Sequence, residues 1–261
     1  MKLTGLVIAT DEERDLPGCL ESLSFCDELL VIDGGSRDAT VDVARDAGAR
    51  VLVNPWPGYA AQRRFGLAAA RGDWVLAVDA DEQVDATLRQ SIQTVVNGPQ
   101  LGDAEGFRVR VQAWFCGRRL RFGGMGHDDH LRLMRRERAQ VVEHAIHELF
   151  SVQGPSQLLP GALIHRSFAS ISEAAQKADR YSTLGAQEQL ATGRQMSRLT
   201  AALRLPWSFL RRYVLFAGFL DGYAGFANAA MLAYADFLRG AKLRELIEQR
   251  RESGGVSPRV N

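Results

Sequence analysis

Cysteine is scarce: 261 residues contain three, Cys19, Cys26 and Cys116, and no C-x-x-C pair. An odd count without paired spacing argues against a disulfide framework and for a reducing compartment. The three read as small buried hydrophobes. Net charge is nearly absent, with 32 Lys and Arg against 31 Asp and Glu. The global basic field that drives nonspecific nucleic-acid binding is therefore missing, and no nucleic-acid partner is expected. No stretch reaches the ~18 consecutive apolar residues of a spanning helix. The N-terminus offers only Leu3–Ala9 as an apolar run before Asp11, Glu12 and Glu13, which does not suit a secretory leader. Repeats and low-complexity tracts are missing too. With 46% hydrophobic and 24% charged residues, the composition is that of a globular chain, long enough for one large domain and an appendage. A cytoplasmic location is expected.

The first hundred residues alternate in character. Leu3–Thr10, Leu29–Ile32, Arg50–Val53 and Trp74–Val78 are short apolar runs suited to buried strands. Between them, Leu16, Cys19, Leu20 and Leu23 recur at helical spacing, and Asp38–Ala47 and Tyr59–Ala70 read as helices. A fourth helix ends near Val96. Four βα units in succession predict an α/β fold, a mostly parallel sheet flanked by helices. Ligands of such sheets bind at the carboxyl ends of the strands, which selects the loops at Thr10, Asp33, Asn54 and Asp79.

Beyond Asn97-Gly98-Pro99 the rhythm changes. Phe107–Trp114 alternates, Cys116-Gly117-Arg118 reads as a turn, and Leu131–Met134 and Val141–Val142 as short strands. This organisation divides into a first half carrying the strand-end loops (1–98), a second half of the same domain (99–170), a helical extension (171–252) and a disordered tail (253–261). In the extension, Arg194, Arg198, Arg204, Arg211 and Arg212 occur with no acidic residue among them. Tyr213–Leu238 follows, dense in Phe, Tyr, Leu and Ala and interrupted by Asp221 and Asp236, and Arg239–Arg251 is a charged helix. Basic residues beside an apolar, aromatic segment suit an anionic membrane surface, engaged through about 206–240. The alternative is a buried helix pair with a solvated Arg-rich face.

Three segments carry chemistry. Asp79-Ala80-Asp81 stands at a buried strand's carboxyl end, where hard oxygen ligands suit Mg²⁺ or Mn²⁺ shared with a diphosphate. Two like unit charges 4 Å apart interact by about 4 kcal/mol at an effective dielectric of 20, so carboxylates facing a phosphate call for a bridging cation. The plainer alternative is a turn whose Asp caps the next helix. Asp33-Gly34-Gly35-Ser36 places an acceptor and two permissive glycines at the second strand's end, suiting ribose or base, or simply making a turn. Arg63 and Arg64 stand on a helix starting near the strand ends and suit phosphate contact. His127-x-x-His130 and His144-x-x-His147 match no strong zinc spacing; His130 and His147 read as residues lining a substrate pocket. His165 closes the run Ala162–Ile164 as a further metal or diphosphate ligand, or as a satisfied, partly buried histidine. Gly123–Gly126 reads as a loop able to order over a bound ligand.

The order of Thr10 with Glu12, D-G-G-S-R-D-A-T at Asp33–Thr40, A-Q-R-R-F-G-L-A at Ala61–Ala68 and G-D-W-V-L-A-V-D-A-D-E at Gly72–Glu82 resembles family 2 glycosyltransferases of the GT-A fold. N-P-W-P-G-Y at Asn54–Tyr59 and V-x-x-x-I-H-E-L-F ending at Phe150 resemble a narrower group, the lipopolysaccharide-core β-glucosyltransferases of the WaaE type. The Phe209–Phe226 stretch is similar to the tail of these membrane-associated enzymes. The resemblance implies a metal-dependent, inverting transfer of a hexose, glucose from UDP-glucose, to a lipid-linked acceptor such as the lipopolysaccharide inner core, on the inner face of the cytoplasmic membrane. It further implies that Thr10, Glu12 and Asp33 hold the nucleoside, Arg63 lies near the diphosphate, Asp79 touches ribose or metal, and Asp81 ligates the metal. The E-D pair that supplies the base in many members is missing at the expected place. Glu148, beside His147, is the first choice for that base, with Asp128 or Asp129 the alternatives. Two other readings are a sugar transferase to polyprenyl phosphate and a non-catalytic membrane-surface module with a degenerate nucleotide fold.

Overall fold

The computed structural model describes residues 2–98, 104–125, 129–143, 148–168 and 170–254. These divide into two compact units, Met1–Gln112 with His127–His165, and Ala113–Gly126 with Arg166–Asn261.

In the first unit, β1 (Leu3–Ala9), β2 (Glu28–Asp33), β3 (Arg50–Val53) and β4 (Trp74–Asp79) lie parallel in the order β3-β2-β1-β4. Helices α1 (Leu16–Ser22), α2 (Thr40–Asp46), α3 (Tyr59–Ala69) and α4 (Ala86–Asn97) connect or follow them. Both faces of β1, β2 and β4 are covered, which is why their central residues are apolar, while β3 at the end of the order is half-exposed. Period-2 alternation sorts each strand between two cores. Leu3, Val7, Val31, Trp74, Leu76 and Val78 pack with Leu16, Cys19, Ala44, Leu88 and Ile92, from α1, α2 and α4. Leu6, Leu30, Ile32, Val75 and Ala77 pack with Leu67 and Ala70 of α3 and its C-cap. The α3 approach is close: a Cβ on Gly66 would stand 2.7 Å from Leu6 Cδ1. Local signals mark the helix starts. Pro17 occupies the first turn of α1, where its missing N–H costs nothing. Asp85 caps α4 by accepting from Leu88 N at 2.6 Å.

The sheet continues as a mixed one. β8 (Asp129–Arg135) runs antiparallel to β4 and to β6 (Gly106–Phe115), followed by β11 (Ser156–Phe168) and, antiparallel to it, β5 (Glu82–Val84). β9 (Ala139–Glu143) and β10 (Glu148–Val152) form a separate antiparallel pair. β5 was not expected, because it is three residues long and is held by side-to-side pairing with Leu163, Ile164 and His165 rather than by any pattern of its own.

In the second unit, the Cys116-Gly117 turn, with φ of 47° and 74°, leads into β7 (Arg118–Arg119), paired with the end of β6. α5 (Ile171–Ala191) and α6 (Arg198–Leu210) both pack on α7 (Gly222–Gly254). Ser170 and Ser197 cap α5 and α6 through Glu173 N and Thr200 N. α7 runs unbroken to Gly254, carrying the apolar segment into its charged tail, and the break in this region falls before it. Pro206 inside α6 is followed by a π-helical turn at Arg211–Leu215, left-handed Ala217 (φ 55°), a 3-10 turn at Gly218–Asp221 and positive-φ Gly222. Ser253 and Gly254, expected in the disordered tail, belong to this helix.

Candidate active site

The sheet grows from β1 outward to β3 and then resumes on the other side of β1 with β4, so the crevice of a doubly wound sheet falls at the β1 and β4 carboxyl ends. The first two loops at that edge are tied together. Asp11 takes a left-handed backbone (φ 56°), its N–H donates to Ser36 Oγ at 2.9 Å, and its Oδ1 accepts from Arg37 N at 2.8 Å. Glu12 N donates to Thr40 Oγ1 at 2.7 Å, Glu13 N donates to Asp38, and Glu13 Oε2 accepts from Ala39 N. Thr10 Oγ1 donates to the Ala9 carbonyl and fills the space beside Gly34, where a Cβ would come within 2.1 Å of it. Glycine is therefore required there by close approach.

Asp33 is 1% exposed. Its oxygens accept from Gly35 N at 2.9 Å, from Ser36 N at 3.1 Å and from the Ser36 hydroxyl. Much of a carboxylate's acceptor capacity is thereby spent inside the turn. The structure thus gives Asp33 the turn-forming duty that the sequence left open beside the ligand-binding one.

The β4 end gathers charge. Asp79 Oδ2 is 3.0 Å from Arg132 Nη2 and Oδ1 is 3.8 Å from Arg63 Nη2. Arg63 also lies over the Phe150 ring, 5.6 Å from its centroid. Arg132, on β8, donates at 2.7 Å to Glu82 Oε1, and Glu82 Oε2 accepts from Asp79 N at 3.0 Å. Burial would raise the Asp79 carboxyl, but Arg132 and then Arg63 outweigh it and hold it below the usual range. For Glu82, 2% exposed, the balance falls the other way. Burial pushes it up, Arg132 pulls against this and Asp79 adds to it, and the group lies at about 7. One buried cation serves two carboxylates, so one of them retains a proton most easily. Asp81 Oδ2 meets His165 Nε2 at 3.0 Å. Burial lowers that imidazole, but the hydrogen bond and charge of Asp81 prevail and raise it. Cys19 Sγ, buried and 3.5 Å from the Asp79 carbonyl, has its thiol pushed well up by burial, as an inert packing residue should.

Asp79, Asp81, His165 and Arg63 are therefore brought together, with Glu82 and Arg132 behind them. The last two were not singled out from the sequence. Glu82 is contiguous with the D-A-D segment and was legible as a third acid. Arg132 comes from fifty residues downstream and only strand pairing reveals it. Among the described residues, no three His, Cys, Asp or Glu side chains converge on one point able to hold an ion. Asp79 is engaged by arginines instead. The carboxylate–imidazole pair Asp81–His165 fits a divalent cation whose remaining ligands come from phosphate oxygens and water, the usual arrangement for Mg²⁺.

The acceptor-side residues are less gathered. Because β8 is antiparallel to β4, its beginning lies at the edge where β4 ends, and there Asp129 is paired with Arg108 at 3.1 Å. Glu148 is the first residue of β10. His127, Asp128, His144 and His147, and Gly126 of the expected lid, lie outside the described residues. Gly123 and Gly124, the described part of that loop, have positive φ.

The second unit carries a different surface. Leu199, Leu203, Trp207, Leu215, Phe216, Phe219, Leu220 and Tyr223 are exposed, Tyr223 to 80%. The two acids of this segment are internally satisfied. Asp221 accepts from Arg121 N and Phe122 N at 2.9 and 2.8 Å, and Asp236 is held by Ser208 Oγ at 2.7 Å and by Arg239 and Arg212. Among the described residues no single helix is long and apolar enough to cross a membrane, although Arg198–Leu215 and Gly218–Arg250, bent by 73°, together have the length and composition.

Comparison with known proteins returns the sequence profile of Glycosyl transferase family 2 over residues 6–113. The lipopolysaccharide core biosynthesis glycosyltransferase LpsC of Rhizobium meliloti (strain 1021) is 30% identical over 250 residues, covering 93% of this chain and 92% of its own. An uncharacterized glycosyltransferase of Rickettsia typhi (strain ATCC VR-144 / Wilmington) is 29% identical, covering 94% and 87%. Among solved structures, glucosyl-3-phosphoglycerate synthase from Mycobacterium tuberculosis, in complex with Mn²⁺, UDP and phosphoglyceric acid, is 19% identical with a TM-score of 0.45, covering 70% of this chain and 77% of that one.

Proposed function

The chain belongs to the family 2 glycosyltransferases, and on that premise we propose that it transfers a hexose, glucose from UDP-glucose, to a lipid-linked saccharide of the lipopolysaccharide core type. The observation that carries this reading is the convergence of Asp79, Asp81, His165 and Arg63 at the β4 carboxyl end. The LpsC relative, alike over nearly its whole length, supports the acceptor class.

The β1 and β2 loops, latched through Asp11, Ser36 and Thr40, form the nucleoside end of the site, with Thr10, Glu12 and Asp33 shaping it. Arg63 faces the diphosphate. Asp81 and His165 would hold a divalent cation, Mg²⁺ or Mn²⁺, and that ion would supply charge neutralisation at the leaving diphosphate. Arg132 and Glu82 position Asp79 from behind. A carboxylate takes the proton of the acceptor hydroxyl as it attacks the anomeric carbon from the side opposite the diphosphate. Glu148 is the first choice, beside His147, and Asp128 and Asp129 are the alternatives; the Arg108 partner of Asp129 makes it the weaker one.

The exposed apolar residues of α6 and the turns before α7, with Arg194, Arg198, Arg204 and Arg211 in the same segment, seat the enzyme on the anionic inner face of the cytoplasmic membrane, where a lipid-linked acceptor is presented. So many large apolar side chains exposed in one segment suit such a partner.

A thermal-shift panel of UDP-, GDP-, CDP- and dTDP-sugars, with Mn²⁺, Mg²⁺ or chelator, tests the donor site. A ligand at 100 times its Kd stabilises by about 2.7 kcal/mol, and each kcal/mol moves the midpoint by roughly 2–4 °C at this size. The reading expects a shift with one nucleotide sugar, removed by chelator and by Asp81→Ala. No shift with any of them, in folded protein, would exclude it.

A further inference from the structure

The N-P-W-P-G-Y segment between β3 and α3 has no duty in the account so far, yet it is among the most constrained pieces of chain at the ligand edge. Asn54 N donates to the Asp33 carbonyl at 2.8 Å, and Trp56 N to the Gly34 carbonyl at 3.2 Å. Asn54 Nδ2 donates at 2.7 Å to Oε1 of Gln62, itself fully buried, and Gln62 Nε2 returns a bond to the Asn54 carbonyl. Pro55 and Pro57 fix their own φ on either side of Trp56. The indole lies over Gly34, where a Cβ would meet Trp56 Cε3 at 2.9 Å and Thr10 Oγ1 at 2.1 Å. Tyr59 packs edge-on against it, with ring centroids 4.7 Å apart. Despite these attachments Trp56 remains 43% exposed. A large aromatic side chain has thus been held rigidly at the sheet's carboxyl edge with a broad surface left uncovered.

We infer that the Trp56 indole, buttressed by Tyr59, is the platform on which the nucleobase of the donor stacks. The inference rests on the donor-site reading above. The charged groups suited to a diphosphate stand at the end of β4, and Trp56 follows β3 with its indole over Gly34 at the end of β2, two strands from β4, about 10 Å at the usual strand spacing. In a nucleotide sugar the base lies at one end, while the diphosphate and the sugar it carries lie at the other. With the phosphates at Arg63 and Asp81, the ligand's aromatic end falls toward β3. Asp33, which lies between, spends much of its acceptor capacity on its own turn, so an apolar face supplies the contact that the carboxylate supplies only in part. Base–aromatic stacking tolerates any base, so this platform sets affinity and orientation, not base identity.

The test uses full-length protein and UDP, with calorimetric Kd and donor KM measured for wild type, Trp56→Ala and Trp56→Phe, and melting curves as a control for folding. Stacking energies of this kind correspond to about a 5- to 150-fold loss of affinity on removal of the ring. The expected result is that loss in Trp56→Ala, in Kd and donor KM alike, with kcat little changed and most of the affinity restored in Trp56→Phe. UDP should also quench the tryptophan fluorescence of wild type and not that of Trp56→Phe. Equal UDP affinity in wild type and Trp56→Ala would overturn the platform while leaving the donor site standing. So would a loss in Trp56→Phe as large as in Trp56→Ala. Failure of wild type to bind UDP or any other nucleoside diphosphate would overturn the donor-site reading and the platform with it.

Discussion

Replacing Glu82 by glutamine probes the charge balance behind Asp79. The Glu82 carboxyl is pushed from an ordinary 4.5 to about 7, by burial first, with Arg132 opposing and Asp79 adding. A shift of that size corresponds to about 3 kcal/mol at 1.36 kcal/mol per pH unit. The sign follows from proton binding. The folded state holds the Glu82 proton more tightly than the unfolded chain does, so this stabilisation is complete below about 4.5. It is lost as pH rises through about 7 and the loss is complete above that. Asp79, held below its usual range, titrates under this window. Glutamine cannot ionise and should abolish the dependence. It has one oxygen where the carboxylate has two acceptors, for Arg132 and for Asp79 N, so it also carries a cost of about 1 kcal/mol that does not vary with pH. The informative quantity is therefore the change with pH in the difference between wild type and variant. Melting of metal-free protein at pH 5, 6, 7 and 8 should show wild type losing about 3 kcal/mol relative to Glu82→Gln, roughly 6–12 °C at this size. Parallel curves for the two proteins across this range would refute the assignment of a proton to this buried pair.

Other consequences follow from the same geometry. Arg132→Met removes the cation shared by Asp79 and Glu82 and should cost about 3 kcal/mol at pH 8, because the buried Glu82 carboxylate loses its partner, while the half-exposed Asp79 keeps Arg63 and water. The loss should shrink at pH 5, which denaturant titration at both pH values would show. Gly66→Ala places a methyl 2.7 Å from Leu6 Cδ1 and should destabilise by about 1–3 kcal/mol through overpacking without changing donor KM. Asp81→Ala and His165→Ala should each weaken the Mn²⁺ dependence of nucleotide-sugar binding, read as the metal concentration for half-maximal stabilisation. Asp129→Asn should leave that metal response unchanged. Arg204→Glu with Arg211→Glu should reduce sedimentation with vesicles rich in anionic lipid while leaving nucleotide binding intact.

The parallel half of the fold was legible because β1, β2 and β4 are short apolar runs buried at their centres and apolar residues recur at helical spacing between them. The β4 terminus was legible for the same reason: Asp79 and Asp81 are polar residues at the end of a run that is otherwise apolar. The contact between His165 and Asp81 was foreseeable only as a possibility, since it depends on β11 pairing with β5, eighty residues earlier in sequence. Arg132 was hidden for a similar reason. It reads as one polar residue in an alternating strand, and its burial between Asp79 and Glu82 exists only once β8 docks on β4. Asp33 shows the opposite limit. Its place at the strand end was evident, but the turn bonds that occupy its oxygens depend on how Ser36 folds back. In the C-terminal region, composition identified the apolar, basic segment but not where it breaks. The break is set by left-handed Ala217 and by Asp221 anchoring to the backbone of Arg121 and Phe122, a hundred residues away.

The central claim is that the β4 terminus supports sugar transfer from a nucleotide donor. It is tested most directly by following release of nucleoside diphosphate from UDP-glucose, with Mn²⁺, when lipid-linked core saccharide in anionic vesicles is added to full-length protein. The account predicts one UDP released per glucose appearing on the acceptor, dependence on the acceptor, and loss of turnover in Asp81→Asn while the protein still melts cooperatively. Turnover that persists undiminished in Asp81→Asn and in chelator, or labelled glucose that never reaches the acceptor with any of the four nucleotide sugars, would contradict it.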